Sequence, residues 1–351
     1  MAGRSAFVST AEQRAKAGLL RAALGLPAPV QRVLAGRPVT TDGQTLAVDT
    51  QLMLRLEGIV REPSVADLPV QSGRRLLVEH AAIAGGRQPI GAVRDLAVGD
   101  LPGRLYVPSG ATSPGPLLVF FHGGAWVYGD LDSADPLCRF LAERSGVRLL
   151  SVDYRLAPEH PFPAAADDAA AAYRWVSENA ASLGADVTRL GVGGDSAGGN
   201  LAAVTALQAA RDGLPLAFQL LVYPTTDSSR RTHSRSLFGH GMYLTEEFMD
   251  RSLDQYVPDP GQRADPRVSP LLARLPDGLA PAYVATAGFD PLRDEGEAYA
   301  RKLADAGVEV ELRRFADQIH GFLNVVGVGR TARAASAEIA ARLAAGLRPR
   351  R

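Results

Sequence analysis

Short, wholly apolar runs alternate along this chain with longer stretches whose apolar residues recur at helical spacing. The rhythm begins near residue 76 and continues to the end. Leu117 to Phe121 is apolar throughout and follows Pro114-Gly115-Pro116. Such a run suits a strand buried on both faces of a sheet. Val147 to Val152 is a second, and Arg189 to Gly193, Phe218 to Tyr223, Ala282 to Ala287 and Val308 to Phe315 also read as strands. Leu76 to Ile83, Val93 to Val98 and Arg104 to Val107 have an alternating, strand-like texture. Between the strands, Ala134 to Arg144, Ala164 to Asn179, Ala197 to Arg211, Asp294 to Ala306 and Arg330 to Leu347 read as helices. Strand–helix alternation of this kind predicts an α/β fold, with a mostly parallel central sheet covered by helices on both faces.

Two segments break the rhythm. Residues 1–75 carry helix-like patches such as Val48 to Val60, separated by Pro/Gly-rich breaks. Ser228 to Gly261 is too long for a simple crossover loop and carries Met242, Tyr243, Leu244, Phe248, Met249 and Leu253 among charges. Both read as caps over the sheet. The expected organisation is an N-terminal cap over 1–75, a core over 76–227, a cap insertion over 228–261 and the rest of the core over 262–351.

Composition narrows the classes. Lys+Arg and Asp+Glu balance at 38 each, so nothing points to nucleic acid as a partner. Cys138 is the single cysteine, which rules out an intrachain disulfide and suits a reducing compartment. Arg21 interrupts the apolar stretch from Ala17 to Leu26, so the N-terminus does not read as a secretory signal. No stretch is long enough for a transmembrane helix. The expected location is cytoplasmic.

The chemistry concentrates in four motifs. Gly194-Asp195-Ser196-Ala197-Gly198 is a G-x-S-x-G placed after a strand and before a helix. That turn lifts the Ser196 hydroxyl clear of the sheet and aims the Ala197 N–H at developing negative charge. Alone, such a loop could merely turn or hold a phosphate, but the Gly-Lys-Ser/Thr of a P-loop is absent. His122-Gly123-Gly124-Ala125-Trp126 follows the apolar strand, and the paired glycines let the Gly123 and Gly124 N–H groups approach an oxyanion. His122 is expected to brace that loop rather than move protons. Of six histidines only His233, His240 and His320 follow Ser196, and His320 alone lies just past a strand. That makes His320 the candidate base. Asp290, before Pro291, is the first acid past the preceding strand; Asp227 is a weaker alternative. The histidines show no metal-ligand spacing, and no cofactor is expected.

These motifs, with Tyr154-Arg155-Leu156-Ala157-Pro158-Glu159-His160-Pro161-Phe162-Pro163-Ala164-Ala165, resemble the hormone-sensitive lipase-like esterases, bacterial family IV. The resemblance covers residues 76–351 and implies the α/β-hydrolase fold, a Ser196–His320–Asp290 triad and cofactor-free hydrolysis of short to medium acyl-chain esters. It places the Tyr154–Ala165 segment beside the site as a brace, with Arg155 and Glu159 as an ion pair. Members are often dimers through an edge strand, which by analogy allows a homodimer here. Trp126, Tyr243 and Phe322 are candidate pocket residues. Two other readings stay open: a silent small-molecule receptor on the same fold, against which the presence of His320 counts, and a triad hydrolase of amides, lactones or polyesters.

Overall fold

The computed structural model describes residues 11–60 and 65–349. Its central sheet has eight strands: β1 (Ala92–Val98), β2 (Leu101–Val107), β3 (Gly115–Phe121), β4 (Arg148–Val152), β5 (Ala185–Asp195), β6 (Phe218–Val222), β7 (Ala282–Phe289) and β8 (Val310–Ile319). In space they run β1-β2-β4-β3-β5-β6-β7-β8. β1 and β2 form an antiparallel hairpin and β2 lies antiparallel to β4. All other neighbours are parallel. The C-terminal ends of β3, β5, β7 and β8 therefore open on one rim, where ligand sites of open α/β sheets collect.

Side-chain alternation along β3 divides the core. Leu117, Val119 and Phe121 join the cluster under α6 (Ala164–Asn179), α7 (Ala197–Arg211) and α10 (Arg293–Asp305). Leu118 and Phe120 join the opposite cluster under α5 (Leu131–Ser145) and α11 (Arg330–Gly346). A strand buried on both faces must be apolar at every position, which is why this run carries no alternation in sequence.

The chain before the sheet forms α1 (Ala11–Gly25), α2 (Ala28–Ala35), α3 (Val48–Val60) and α4 (Val70–Gly85). α4 corrects the expectation of a strand at Leu76 to Ile83. Its inward face is set by Gly73, Ala81 and Gly85, small residues at spacings of four and eight that a count of large apolar residues passes over. The boundary drawn at residue 75 falls inside this helix, so no division of the chain lies there. The long segment after β6 holds α8 (His233–Phe238) and α9 (Glu246–Tyr256). Leu24, Leu46, Leu52 and Met53 pack with Phe238, Phe289 and Ile319 in a third cluster joining the N-terminal helices, the insertion and the ends of β7 and β8.

Asp49, at the start of α3, ties the N-terminal segment to α11. Its Oδ2 accepts the Arg330 and Thr331 N–H groups at 2.8 and 3.0 Å, and its Oδ1 accepts the Thr331 hydroxyl at 2.7 Å. The N-cap of α11 is Gly329, which offers no side-chain oxygen. Asp49 supplies the missing cap from another helix.

Candidate active site

Ser196 stands between the last residue of β5 and the first of α7, with φ +58° and ψ −120°. A side chain at positive φ is costly and persists only where its surroundings fix it. The flanking glycines explain how. A Cβ on Gly198 would run into the Phe121 carbonyl, and one on Gly194 into the Gly198 carbonyl. The turn is thus packed backbone to backbone. Ala125, Trp126 and Tyr223 also have positive φ, at +54°, +60° and +36°. The strained non-glycine backbone among the described residues is therefore concentrated around Ser196, Asp42 being the exception.

Three side chains from three strand ends meet here. His320 Nε2 lies 3.0 Å from Ser196 Oγ, and His320 Nδ1 lies 2.8 Å from Asp290 Oδ2. Asp290 is fully buried, and its Oδ1 accepts the Leu292 N–H at 2.8 Å. The Tyr223 ring sits against the imidazole with centroids 4.6 Å apart. A hydroxyl within hydrogen-bond reach of an imidazole, itself held by a carboxylate, is the arrangement of an activated nucleophile. Asp227, the alternative acid, lies elsewhere. It pairs with Arg230 at 2.7 Å and its N–H donates to Glu295 Oε1.

The loop after β3 differs in detail from the expected oxyanion donors. The Gly123 N–H donates to Asp195 Oδ1 at 2.8 Å, so it is not free to meet a substrate. No hydrogen bond among the described residues engages the N–H groups of Gly124, Ala125 or Ala197. Of the proposed donors, the Gly124 and Ala197 N–H groups are open among the described residues and that of Gly123 is committed to Asp195, while the Ala125 N–H is open beside them. Asp195 is the residue the motif reading missed. Burial pushes its carboxyl above the usual aspartate range, with the Gly123 N–H and the nearby His122 and His320 rings opposing. His122 braces the loop: its Nδ1 lies 2.8 Å from Gly123 O, and its ring stacks on Tyr154 at 4.4 Å. The Tyr154 hydroxyl donates to His122 O at 2.7 Å.

Arg155 and Glu159 do not pair with each other. Arg155 forms a fork on Asp168, with Nη2 2.6 Å from Oδ1, while Glu159 takes Arg74 of α4 at 2.7 Å. Arg74 also donates to the Val127 and Ala157 carbonyls, both at 2.8 Å. A partner contributed by a distant helix outcompetes the neighbour four positions away.

The candidate pocket residues divide. Trp126 stacks on Tyr256 of α9 at 4.5 Å, joining the loop after β3 to the segment after β6. Tyr243 is 46% exposed and its ring edge lies over Gly321, next to His320. Phe322 is 1% exposed and packs on Tyr223 and Phe315, so it belongs to the core. Gly321, at φ +79°, turns the chain inward and directs Phe322 there. Among the described residues no group of three His, Cys, Asp or Glu side chains could hold a metal ion. None of the described helices is long and apolar enough to cross a membrane.

A serine on a strained strand-to-helix turn, with its acid and base at the ends of later strands of a sheet in this order, is the layout of an α/β hydrolase. Residues 118–324 match a family described as having the alpha/beta hydrolase fold. The chain is similar to the carboxylic ester hydrolase LipN of Mycobacterium tuberculosis, at 46% identity over 92% of this chain and 89% of that one. It is similar to the ethyl acetate hydrolase of Pseudomonas putida, at 41% identity over 74% of this chain and 84% of that one. Among solved structures, the hyperthermophilic esterase of Pyrobaculum calidifontis covers 86% of this chain and 98% of its own at TM-score 0.81 and 37% identity. The chain belongs to the α/β-hydrolase family, within its hormone-sensitive lipase-like esterases.

Proposed function

We propose that this protein hydrolyses carboxylic esters of short to medium acyl chain through an acyl-enzyme on Ser196. The observation that carries this reading is the unbroken relay from Ser196 Oγ through His320 to Asp290, at 3.0 and 2.8 Å. His320 takes the hydroxyl proton as Ser196 attacks the ester carbonyl. It then returns that proton to the departing alcohol. Asp290 holds the imidazole tautomer and offsets the imidazolium charge. The oxyanion is received by the N–H groups of Gly124, Ala125 and Ala197, the last at the N-terminus of α7. Water then attacks the acyl-enzyme by the same route in reverse.

The relatives' names support the ester class, and one of them names a short-chain ester, ethyl acetate. α1 to α4 and α8 to α9 act as the cap, bounding the substrate with Trp126 and Tyr243. A cytoplasmic location suits a chain whose one cysteine, Cys138, is buried and unpaired. β8 is the terminal strand of the sheet and Leu312 on it is exposed, which supports pairing with a second copy there.

The test is hydrolysis of p-nitrophenyl acetate, butyrate and hexanoate by the purified protein with and without a chelator. Turnover is expected on this panel in both cases and abolished in Ser196→Ala. A wild-type protein inert towards every ester would sink the ester reading. Activity persisting in Ser196→Ala would sink the assignment of the nucleophile.

A further inference from the structure

The N-terminal segment does more than cover the site: one short stretch of it grips the loops that carry both the acid and the base. The Ala47 N–H donates to Asp317 O at 3.0 Å, three residues before His320. Asp49 holds the first turn of α11 through Arg330 and Thr331, just beyond the loop that follows His320. Ala47 and Asp49 therefore hold the two ends of the base loop from positions two residues apart. On the acid side, Gln44 Nε2 donates to Gly288 O at 3.4 Å, and Asp42 pairs with the buried Arg293 at 2.9 Å. Gly288 and Arg293 flank Asp290.

We propose that Asp49 is a positioning residue for the reaction, fixing from the N-terminal segment the loop that presents His320 to Ser196. Asp49 is 2% exposed and receives four donors: the N–H groups of Thr50, Arg330 and Thr331 and the Thr331 hydroxyl. A carboxylate so placed is held on all sides and transmits the position of α3 to α11. With Gly329 at the N-cap, nothing in α11's own sequence replaces it. Loss of the tie lets the loop from Gly321 to Gly329 drift while Ser196, fixed by its glycines, stays in place. The distance that suffers is the one between imidazole and hydroxyl. Small displacements of a reacting group by a remote change are costly in rate.

The inference rests on His320 acting as the base, and its test is separable from the test of that reading. Asp49→Ala, Asp49→Asn and Thr331→Val are compared with wild type on p-nitrophenyl butyrate, with active sites counted by a p-nitrophenyl phosphonate. Per titrated site, Asp49→Ala is expected to lower kcat by about tenfold or more with KM within about twofold. Asp49→Asn keeps an oxygen for the two N–H groups and recovers most of the turnover. Thr331→Val loses one donor only, folds even if Asp49→Ala does not, and shows a smaller drop in the same direction. An Asp49→Ala protein that melts earlier but keeps its kcat per site would reduce Asp49 to a structural cap and overturn the proposal. Unchanged kcat in Thr331→Val would do the same where Asp49→Ala cannot be purified. Full activity in Ser196→Ala, by contrast, would remove the catalytic reading and leave the tie itself untouched.

Discussion

Asp195 precedes Ser196 in sequence and lies beneath the loop that follows β3 in space. Its carboxylate holds the Gly123 N–H at 2.8 Å across 72 positions of chain. Asp195→Ala leaves that N–H unpaired and frees a loop whose next residues stand at positive φ. The expected outcome is a fall in kcat on the order of 10- to 100-fold with little change in KM, read by steady-state kinetics. An unchanged kcat would mean that the loop holds its shape without this bond. That Ser196, Asp290 and His320 come together could be expected from sequence because each sits in a short motif at a strand end, and chain order selects among the candidates. The commitment of Gly123 could not, because it depends on which of two adjacent N–H groups faces a buried side chain. The same limit produced the Arg155–Glu159 pairing: a spacing of four invites that pair, but Arg74 and Asp168 lie closer in space.

Among the elements, β3, β4, β6 and β7 were legible because burial on both faces demands nearly continuous apolar runs. α6 and α7 were legible end to end. α4 was not, because its packing face is made of absence: Gly73, Ala81 and Gly85 let the helix approach its neighbours closely. A Cβ on Gly85 would stand 2.5 Å from Pro136 Cβ of α5 and 3.5 Å from Asn324 O. Gly85→Ala should therefore destabilise the protein by about 1–3 kcal/mol despite the gain in helix propensity, seen as a lower midpoint in urea at unchanged slope. A stabilised variant would show that α4 has room to move. The length of the segment after β6 marked it in sequence, but its partners could not be read there. α9 meets the loop after β3 through Tyr256 on Trp126, and meets Tyr128 through Phe248 at 5.5 Å.

For the molecule as a whole, one buried carboxyl that shapes the response to pH is that of Glu295. Glu295, at the start of α10, accepts the Thr226 N–H at 2.7 Å and the Asp227 N–H at 3.2 Å. Burial, helped by the charges of Asp227 and Asp290, pushes its pKa up to about 8. Between the ordinary glutamate range and about 8, the unfolded chain has lost this proton and the folded chain retains it. Folding takes up a proton in that window, so stability declines as pH rises through it. Glu295→Gln keeps an acceptor for both N–H groups and has no proton to lose. Its thermal midpoint relative to wild type should therefore climb between pH 5 and pH 8, by the equivalent of a few kcal/mol at most. A constant difference across that range would show that Glu295 ionises freely in the folded protein.

The tie between Asp49 and α11 also sets a timetable. Asp49 leaves the ribosome 282 residues before Thr331, an interval on the order of half a minute at cellular rates of synthesis. Throughout it, Leu24, Leu46, Leu52 and Met53 have been made, but Phe289 and Ile319, which cover them, arrive only near its end. Helices α1 to α3 are thus translated early and buried late. On the proposed role of Asp49, an unfinished chain that stops short of residue 331 leaves His320 unseated against Ser196, so hydrolysis begins only when synthesis is nearly complete.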